Sequence, residues 1–266
     1  MPNIDPVFFI TPMVVMVFSF GLPIWLKTKT HYRWSILLLA LVAYGGAIAL
    51  KAIVQLLTAQ QLVTAFEGNL IAIGLYYGLQ TVFFEVGLAY LVLLFANSRR
   101  AVEENDAVAY GLGLAMWENG VLLGLLTLIN YIIYFVTLSG SGAAADQLYN
   151  NLSSTASALF LSPGEAFPLI GYAILERVSS LMVHLSWGYL CVLSVISGRR
   201  WLFLAALPMG LIDFFIVFAP QLGTGVFEAL IFAIGILCVG ASVLLGRRLT
   251  PRVDKLPVEG TPTQSG

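Results

Sequence analysis

The sequence predicts an all-α integral membrane protein with seven transmembrane helices. Hydrophobic residues make up 59% of its 266 residues and charged residues only 10%, whereas soluble domains contain about 45–50% and about 25%. The apolar residues also fall into seven stretches, each long enough for the roughly 20 residues that a helix needs to cross the hydrocarbon core. These stretches are residues 6–26, 34–58, 69–97, 107–138, 166–196, 201–219 and 225–246.

Residues 1–248 are therefore expected to form a single transmembrane helical domain. The first stretch does not resemble a signal peptide, because Asp5 precedes its apolar run and no basic segment does. The third, fourth and fifth stretches are long enough to tilt or kink. The loop 139–165 is rich in Ser, Ala and Gly, which is typical of a flexible cover with room for a short surface helix. Residues 249–266 are polar and rich in Pro and Gly, which predicts a disordered cytoplasmic tail.

The distribution of basic residues predicts the orientation in the membrane. Lysines and arginines lie in the first, third and fifth loops and after the last stretch, while the second, fourth and sixth loops contain neither. Because cytoplasmic loops carry the excess of Lys and Arg, the N terminus is expected outside and the C terminus in the cytoplasm. The expected location is the plasma membrane of a prokaryote.

Charge and cysteine content exclude other classes of protein. The net charge of −1 provides no basic surface for nucleic acid. The two cysteines, Cys191 and Cys238, are isolated in apolar runs and form neither a disulfide framework nor a metal-binding pair. A retinal protein is excluded because the last stretch contains no lysine for a Schiff base.

Four ionisable residues are predicted to share one layer near the centre of the bilayer. Counted from the cytoplasmic helix ends at 1.5 Å per residue, Glu85, Glu118, His184 and Asp213 all lie roughly 17 Å deep, on four different helices. Carboxylates and an imidazole can bind a divalent metal, and a nearby glutamate can act as general base on a metal-bound water. The same four residues could instead form a hydrogen-bond network that joins four helices.

A second, structural polar layer is predicted nearer the outer interface. Lys51, Glu176 and Arg177 lie roughly 26–28 Å deep by the same count. Glu176 and Arg177 are adjacent in one helix and are not expected to face each other, so Lys51 is predicted to pair with Glu176 and Arg177 to reach the outer surface. Glu176, Ser180 and His184 recur every four residues and form one polar stripe, which could line a water path.

Four short motifs between about residues 75 and 220 occur in an order that resembles one family of membrane proteins. Residues 84–89 (FEVGLA) are similar to a Glu-Glu-x-x-Arg block, and residues 111–118 (GLGLAMWE) to a small-residue helix that ends in Glu. Residues 175–184 (LERVSSLMVH) are similar to a Glu-Arg…His helix, and residues 205–213 (AALPMGLID) to a His-x-x-x-Asp helix. The chain thus resembles the YhfC-type proteins, of the superfamily of type II CAAX prenyl proteases, PrsW-like proteases and the APH scaffold subunit of γ-secretase.

The resemblance implies an intramembrane metalloprotease fold, with one glutamate as base and His and Asp or Asn at a metal or an oxyanion. The chain departs from the family pattern in three places. Glu85 is the single acid of the first motif, that motif's arginine is absent, and Met209 stands where the last motif has its histidine. A methionine thioether is a poor ligand for the metals that hydrolases use.

Three functions follow from these observations. The lost motif residues favour a degenerate, non-catalytic scaffold or binding protein for a membrane protein, peptide or lipid. The alternative is an active metal-dependent intramembrane endopeptidase, with Glu85 and Glu118 as candidate catalytic bases, His184 and Asp213 as candidate metal ligands, and zinc as the metal. The third is a proton-coupled small-molecule transporter that uses the stripe ending at His184.

Overall fold

The computed structural model describes residues 3–248, which form helices joined by short connections and contain no β-strand. Seven of these helices are long and apolar enough to cross a membrane, which confirms the predicted fold class. The tail predicted at 249–266 lies outside the described residues. The helices are α1 (Pro6–Thr30), α2 (Ser35–Ala65), α3 (Leu70–Arg99), α4 (Asp106–Ser139), the short α5 (Ala143–Thr155), α6 (Pro163–Ser197), α7 (Arg200–Leu222) and α8 (Thr224–Arg247).

Helix α6 begins and ends at residues suited to those positions. Ser162 precedes it and forms a reciprocal capping box with Glu165, and Pro163 occupies the first helical position. Its last turn is followed by Gly198 in the left-handed conformation, with φ 68°, a backbone geometry that glycine adopts without a Cβ clash. The 35-residue length of α6 is therefore set by local signals at both ends.

Helix α6 is also the centre of the bundle. It packs against α4, α7 and α8, and also touches α1 and α3. In the most apolar segment of α6, 61% of the residues are buried, whereas the corresponding segments of the other six spans are 11% to 39% buried. A helix surrounded by other helices can carry polar side chains, which avoid lipid by facing the protein interior.

Helices α4 and α6 approach each other closely at two glycines. A Cβ atom placed on Gly188 would lie 2.5 Å from the Cα of Gly111, and one placed on Gly111 would lie 2.6 Å from the carbonyl oxygen of Leu185. Small residues permit such backbone contact between helices in membranes. The glycines around 111 therefore mediate packing within the chain.

Three spans depart from α-helical geometry at their middles. Thr81–Val86 in α3 and Met116–Leu125 in α4 are π-helical, and Leu207–Phe218 in α7 is a 3₁₀-helix. Such segments inside longer helices occur often at functional sites or hinges. Each of the three carries one of the predicted site residues, which are Glu85, Glu118 and Asp213 respectively.

The loop predicted as a flexible cover contains α5, which packs on its surroundings. Leu152 of α5 is buried in a cluster with Leu138 and Ile170 from the neighbouring spans and with Phe8 near the N terminus. The Asn3 side chain donates hydrogen bonds to the Phe135 carbonyl at 3.1 Å and to Ser139 at 2.7 Å. The segment before α1 and the α5 loop thus close the same end of the bundle.

The orientation predicted from the basic residues can be tested by cysteine labelling. Cys191 and Cys238 are buried and should give little background. Ser141 is exposed in the loop after α4, and Ser98 is exposed in the last turn of α3, at the opposite end of the bundle. We expect a membrane-impermeant maleimide to label Ser141→Cys in intact cells and Ser98→Cys only after permeabilisation. The opposite labelling pattern would reverse the predicted orientation.

Candidate metal centre

A cavity of about 320 Å³ inside the bundle brings the two predicted polar layers together. Its lining includes charged side chains from five helices. One layer therefore replaces the two that were predicted, and every candidate site residue contributes to it. These residues are Lys51 from α2, Glu85 from α3, Glu118 from α4, Glu176, Arg177 and His184 from α6, and Asp213 from α7.

Glu85, Glu118 and His184 form the centre of this cavity. Each offers one ligand atom, and the three atoms lie within 4.8 Å of one another. The Nε2 atom of His184 lies 2.9 Å from Oε2 of Glu118 and 3.4 Å from Oε2 of Glu85. One imidazole nitrogen and two carboxylate oxygens are a donor set that suits zinc and related divalent metals.

The His184 ring is held in one orientation. Its Nδ1 atom lies 2.9 Å from the carbonyl oxygen of Ser180, and because a carbonyl only accepts, we assign the proton to Nδ1. The ring packs against Trp187, with centroids 4.3 Å apart, and against Tyr44, with centroids 6.0 Å apart. A neutral ring with this tautomer has its free lone pair on Nε2, the form in which histidine binds metals.

The Nε2 atom of His184 is buried and makes no hydrogen bond within residues 3–248. Both carboxylates are close enough, but their directions do not satisfy hydrogen-bond geometry. A buried nitrogen without a partner is costly. The residues present therefore fit a metal ion, which would accept this lone pair and bind both carboxylates.

Lys51 does not pair with Glu176, and that prediction was wrong. Its Nζ atom lies 2.6 Å from Oε1 of Glu85, 3.0 Å from Oδ2 of Asp213 and 2.8 Å from Oγ1 of Thr81. The depth count assumed helices parallel to the bilayer normal. Helix α2 has 31 residues, about 46 Å at 1.5 Å per residue, and a helix longer than the hydrocarbon core accommodates its length by tilting.

Arg177 does not extend to the outer surface either. Its guanidinium donates to Oε1 of Glu118 and to Oδ1 of Asn119, both at 3.3 Å, and it pairs with its neighbour Glu176. The prediction that Glu176 and Arg177 would not meet was wrong because two long side chains can bend towards each other. Glu176 has a side chain that is 44% exposed and lies at the edge of the cavity.

Asp213 stands apart from the other predicted metal ligand, His184. Within residues 3–248, the group of possible ligands contains Glu85, Glu118 and His184 and omits Asp213. Oδ2 of Asp213 instead accepts hydrogen bonds from Lys51 and from Thr81. Asp213 thus lines the cavity as the partner of a lysine.

Two site residues were missed by the sequence reasoning, which considered ionisable groups alone. Thr81 is one helical turn before Glu85, a spacing that could have identified it. Asn119 follows Glu118 directly, is fully buried, and also donates to the Arg177 carbonyl at 3.3 Å.

Met209, which stands at the family's histidine position, does not line this cavity. It lines a second cavity of about 300 Å³, together with Cys238 and Pro208. In an α-helix, residues four apart share a face, but the 3₁₀ segment of α7 has three residues per turn and turns Met209 away from Asp213. The methionine thus leaves the ligand set of Glu85, Glu118 and His184 unaffected.

The charges around the cavity do not cancel. Four carboxylates are present against the two cations Lys51 and Arg177, so two negative charges remain when His184 is neutral. Uncompensated charge is expensive inside a membrane protein. A divalent cation would neutralise the cavity.

Comparison with known proteins identifies the family of the chain. The family model of the YhfC intramembrane metalloproteases matches residues 13–236, which include every residue of the cavity. No curated protein and no solved structure matches the chain. Because the family model covers most of the sequence, the chain belongs to the YhfC intramembrane metalloprotease family.

Proposed function

We propose that the protein is a metal-dependent intramembrane protease in which Glu85, Glu118 and His184 hold a divalent cation, with zinc as the first candidate. The observation that carries the proposal is the buried Nε2 atom of His184, which faces two carboxylates and has no hydrogen bond. The negative charge that the cavity carries when His184 is neutral also supports it.

When bound, the cation would polarise a peptide carbonyl and lower the pKa of a water molecule. The chain's own residues would orient the reacting groups. The Ser180 carbonyl holds the His184 ring, and Arg177 with Asn119 positions Glu118. On this proposal Glu85 and Glu118 serve as ligands, whereas the sequence alone made them candidate catalytic bases.

The cavity walls favour an apolar, membrane-embedded substrate. Beyond the charged cluster they consist mainly of aliphatic side chains and Phe227. Leu122 on α4 and Ile216 on α7 line the cavity and are also 37% and 54% exposed on the bundle surface. A substrate segment could therefore approach from the lipid between these two helices.

The proposal can be tested by measuring bound metal beside activity. The full chain, purified in detergent and reloaded with zinc, is expected to hold about one zinc per molecule, as a catalytic site with an open position does. Two histidines are present, so His184→Asn has a matched control in His31→Asn. His31 is exposed with φ 53°, a conformation that Asn tolerates.

We expect His184→Asn, Glu118→Gln and Glu85→Gln to lose zinc and to stop cleavage of single-span reporter peptides in proteoliposomes. His31→Asn should retain both properties. Folding of each variant is checked by size-exclusion chromatography. A folded wild-type chain that binds no zinc on titration would overturn the proposal.

The second candidate function is a non-catalytic scaffold for a membrane partner, and one observation favours it. Within residues 3–248 each carboxylate of the cavity contacts a cation, because Lys51 pairs with Glu85 and Asp213, and Arg177 pairs with Glu118 and Glu176. Such a network can hold the helices together without metal. On this hypothesis, Glu85→Gln and Glu118→Gln would change the melting temperature. Added zinc would not change the melting temperature of the wild type or of either variant.

A further inference from the structure

Lys51 directs its hydrogen bonds at residues of the proposed metal centre. It is the only charged residue of α2, and its side chain is 14% exposed. An ammonium group has three donors, and here three acceptors on α3 and α7 surround Nζ, at 2.6, 2.8 and 3.0 Å. All the hydrogen-bonding capacity of Lys51 is therefore directed at the wall of the proposed metal centre.

These contacts divide the oxygens of Glu85 between two tasks. Oε1 accepts a hydrogen bond from Lys51 at 2.6 Å. Oε2 lies 3.4 Å from His184 Nε2 and is the oxygen that faces the centre. The lysine thereby fixes the orientation of the carboxylate, with one of its two equivalent oxygens towards the centre.

The same ammonium group keeps Asp213 away from the centre. Oδ2 of Asp213 contacts Lys51 and Thr81, and within the described residues Asp213 is absent from the group that could hold a metal. A third carboxylate so near a cation would compete for it if it were free. Lys51 thus occupies the oxygen through which Asp213 could enter the ligand set.

From this geometry we infer that Lys51 is a positioning residue of the metal centre, which holds the Glu85 carboxylate with one oxygen towards the ligand site and excludes Asp213. The inference rests on the proposed metal site. On this inference, a residue of α2 that does not itself bind the metal decides which carboxylates of the other helices do. Partners of metal ligands typically change metal affinity by about 10–100-fold when they are replaced.

The test uses Co²⁺, whose visible absorption reports the identity and geometry of its ligands, on the full-length protein. Lys51→Met is expected to bind Co²⁺ at least about tenfold more weakly and to show a changed spectrum as Asp213 joins the ligands. Lys51→Arg, which keeps a charged donor, should restore most of the affinity. Lys29→Met is the matched control, because Lys29 is an exposed lysine, and it should match the wild type in both readouts.

A double variant separates positioning from general destabilisation. In Lys51→Met/Asp213→Asn the competing carboxylate is neutral, so the spectrum should return towards that of the wild type. The double variant removes a negative charge of the cavity together with the lysine. It serves in place of the single variant where that variant does not fold. A wild-type spectrum and affinity in Lys51→Met would overturn the inference alone, whereas a wild type that binds no Co²⁺ would overturn the metal site and this inference together.

Discussion

Replacing Arg177 with methionine is expected to destabilise the protein by about 3–5 kcal/mol, the usual cost of removing one partner from a buried ion pair. Its guanidinium contacts Glu118 at 3.3 Å, pairs with Glu176 and donates to Asn119. Methionine has a similar length but no charge, so it would leave Glu118 inside the bundle without its cation. Reversible unfolding in mixed micelles or bicelles measures the loss.

Two further variants show whether charge causes this effect. Arg200→Met is the matched control, because Arg200 is exposed at the start of α7, and it should change the stability by less than about 0.5 kcal/mol. The double variant Arg177→Met/Glu118→Gln removes the orphaned charge and should recover part of the loss. Equal stabilities of Arg177→Met and Arg200→Met would show that Arg177 does not neutralise a buried carboxylate.

Replacing Gly188 with alanine is expected to cost about 3 kcal/mol, the upper part of the usual range for overpacking. The added Cβ would lie 2.5 Å from the Cα and 3.0 Å from the amide nitrogen of Gly111. Both are backbone atoms and cannot rotate away as a side chain would, so α4 and α6 must separate. Because Glu118 lies on α4 and His184 on α6, this variant is also expected to weaken metal binding.

Gly171 provides the control on the same helix. A Cβ on Gly171 meets no atom within 4 Å, so Gly171→Ala should be neutral or should stabilise α6 by up to about 1 kcal/mol through helix propensity. Thermal unfolding of the purified variants compares the two substitutions. A Gly188→Ala protein as stable as Gly171→Ala would mean that the α4–α6 contact is looser than it is in this structure.

Much of the candidate site can be predicted from the sequence. Glu85, Glu118 and His184 are ionisable residues in apolar stretches, and such residues are rare enough in membranes to be noticed individually. Counting residues from the helix ends places them at one depth, and in the structure their ligand atoms lie within 4.8 Å. The count succeeds for these three because α3, α4 and α6 meet near the middle of the bundle.

The same count fails for the partners of these residues. It predicts Lys51 in an outer layer with Glu176, whereas Lys51 contacts Glu85 and Asp213. Depth along a helix axis does not include tilt, and it does not include the reach of a lysine or an arginine side chain. Met209 would share a face with Asp213 in an α-helix, and a ligand would then be missing at its position. Helix α7 is a 3₁₀-helix at that point, so the two residues do not share a face.

The class of protein, the seven spans and the residues that could form a polar centre all follow from the amino-acid sequence alone. Each of these depends on local properties, namely the hydropathy and length of a stretch and the cost of a charge within it. Three relations appear only in the folded bundle: Lys51 joins Glu85 to Asp213, Arg177 holds Glu118, and Nε2 of His184 faces two carboxylates. They depend on how helices tilt, cross and locally change their winding, and packing between segments far apart in the chain determines all three.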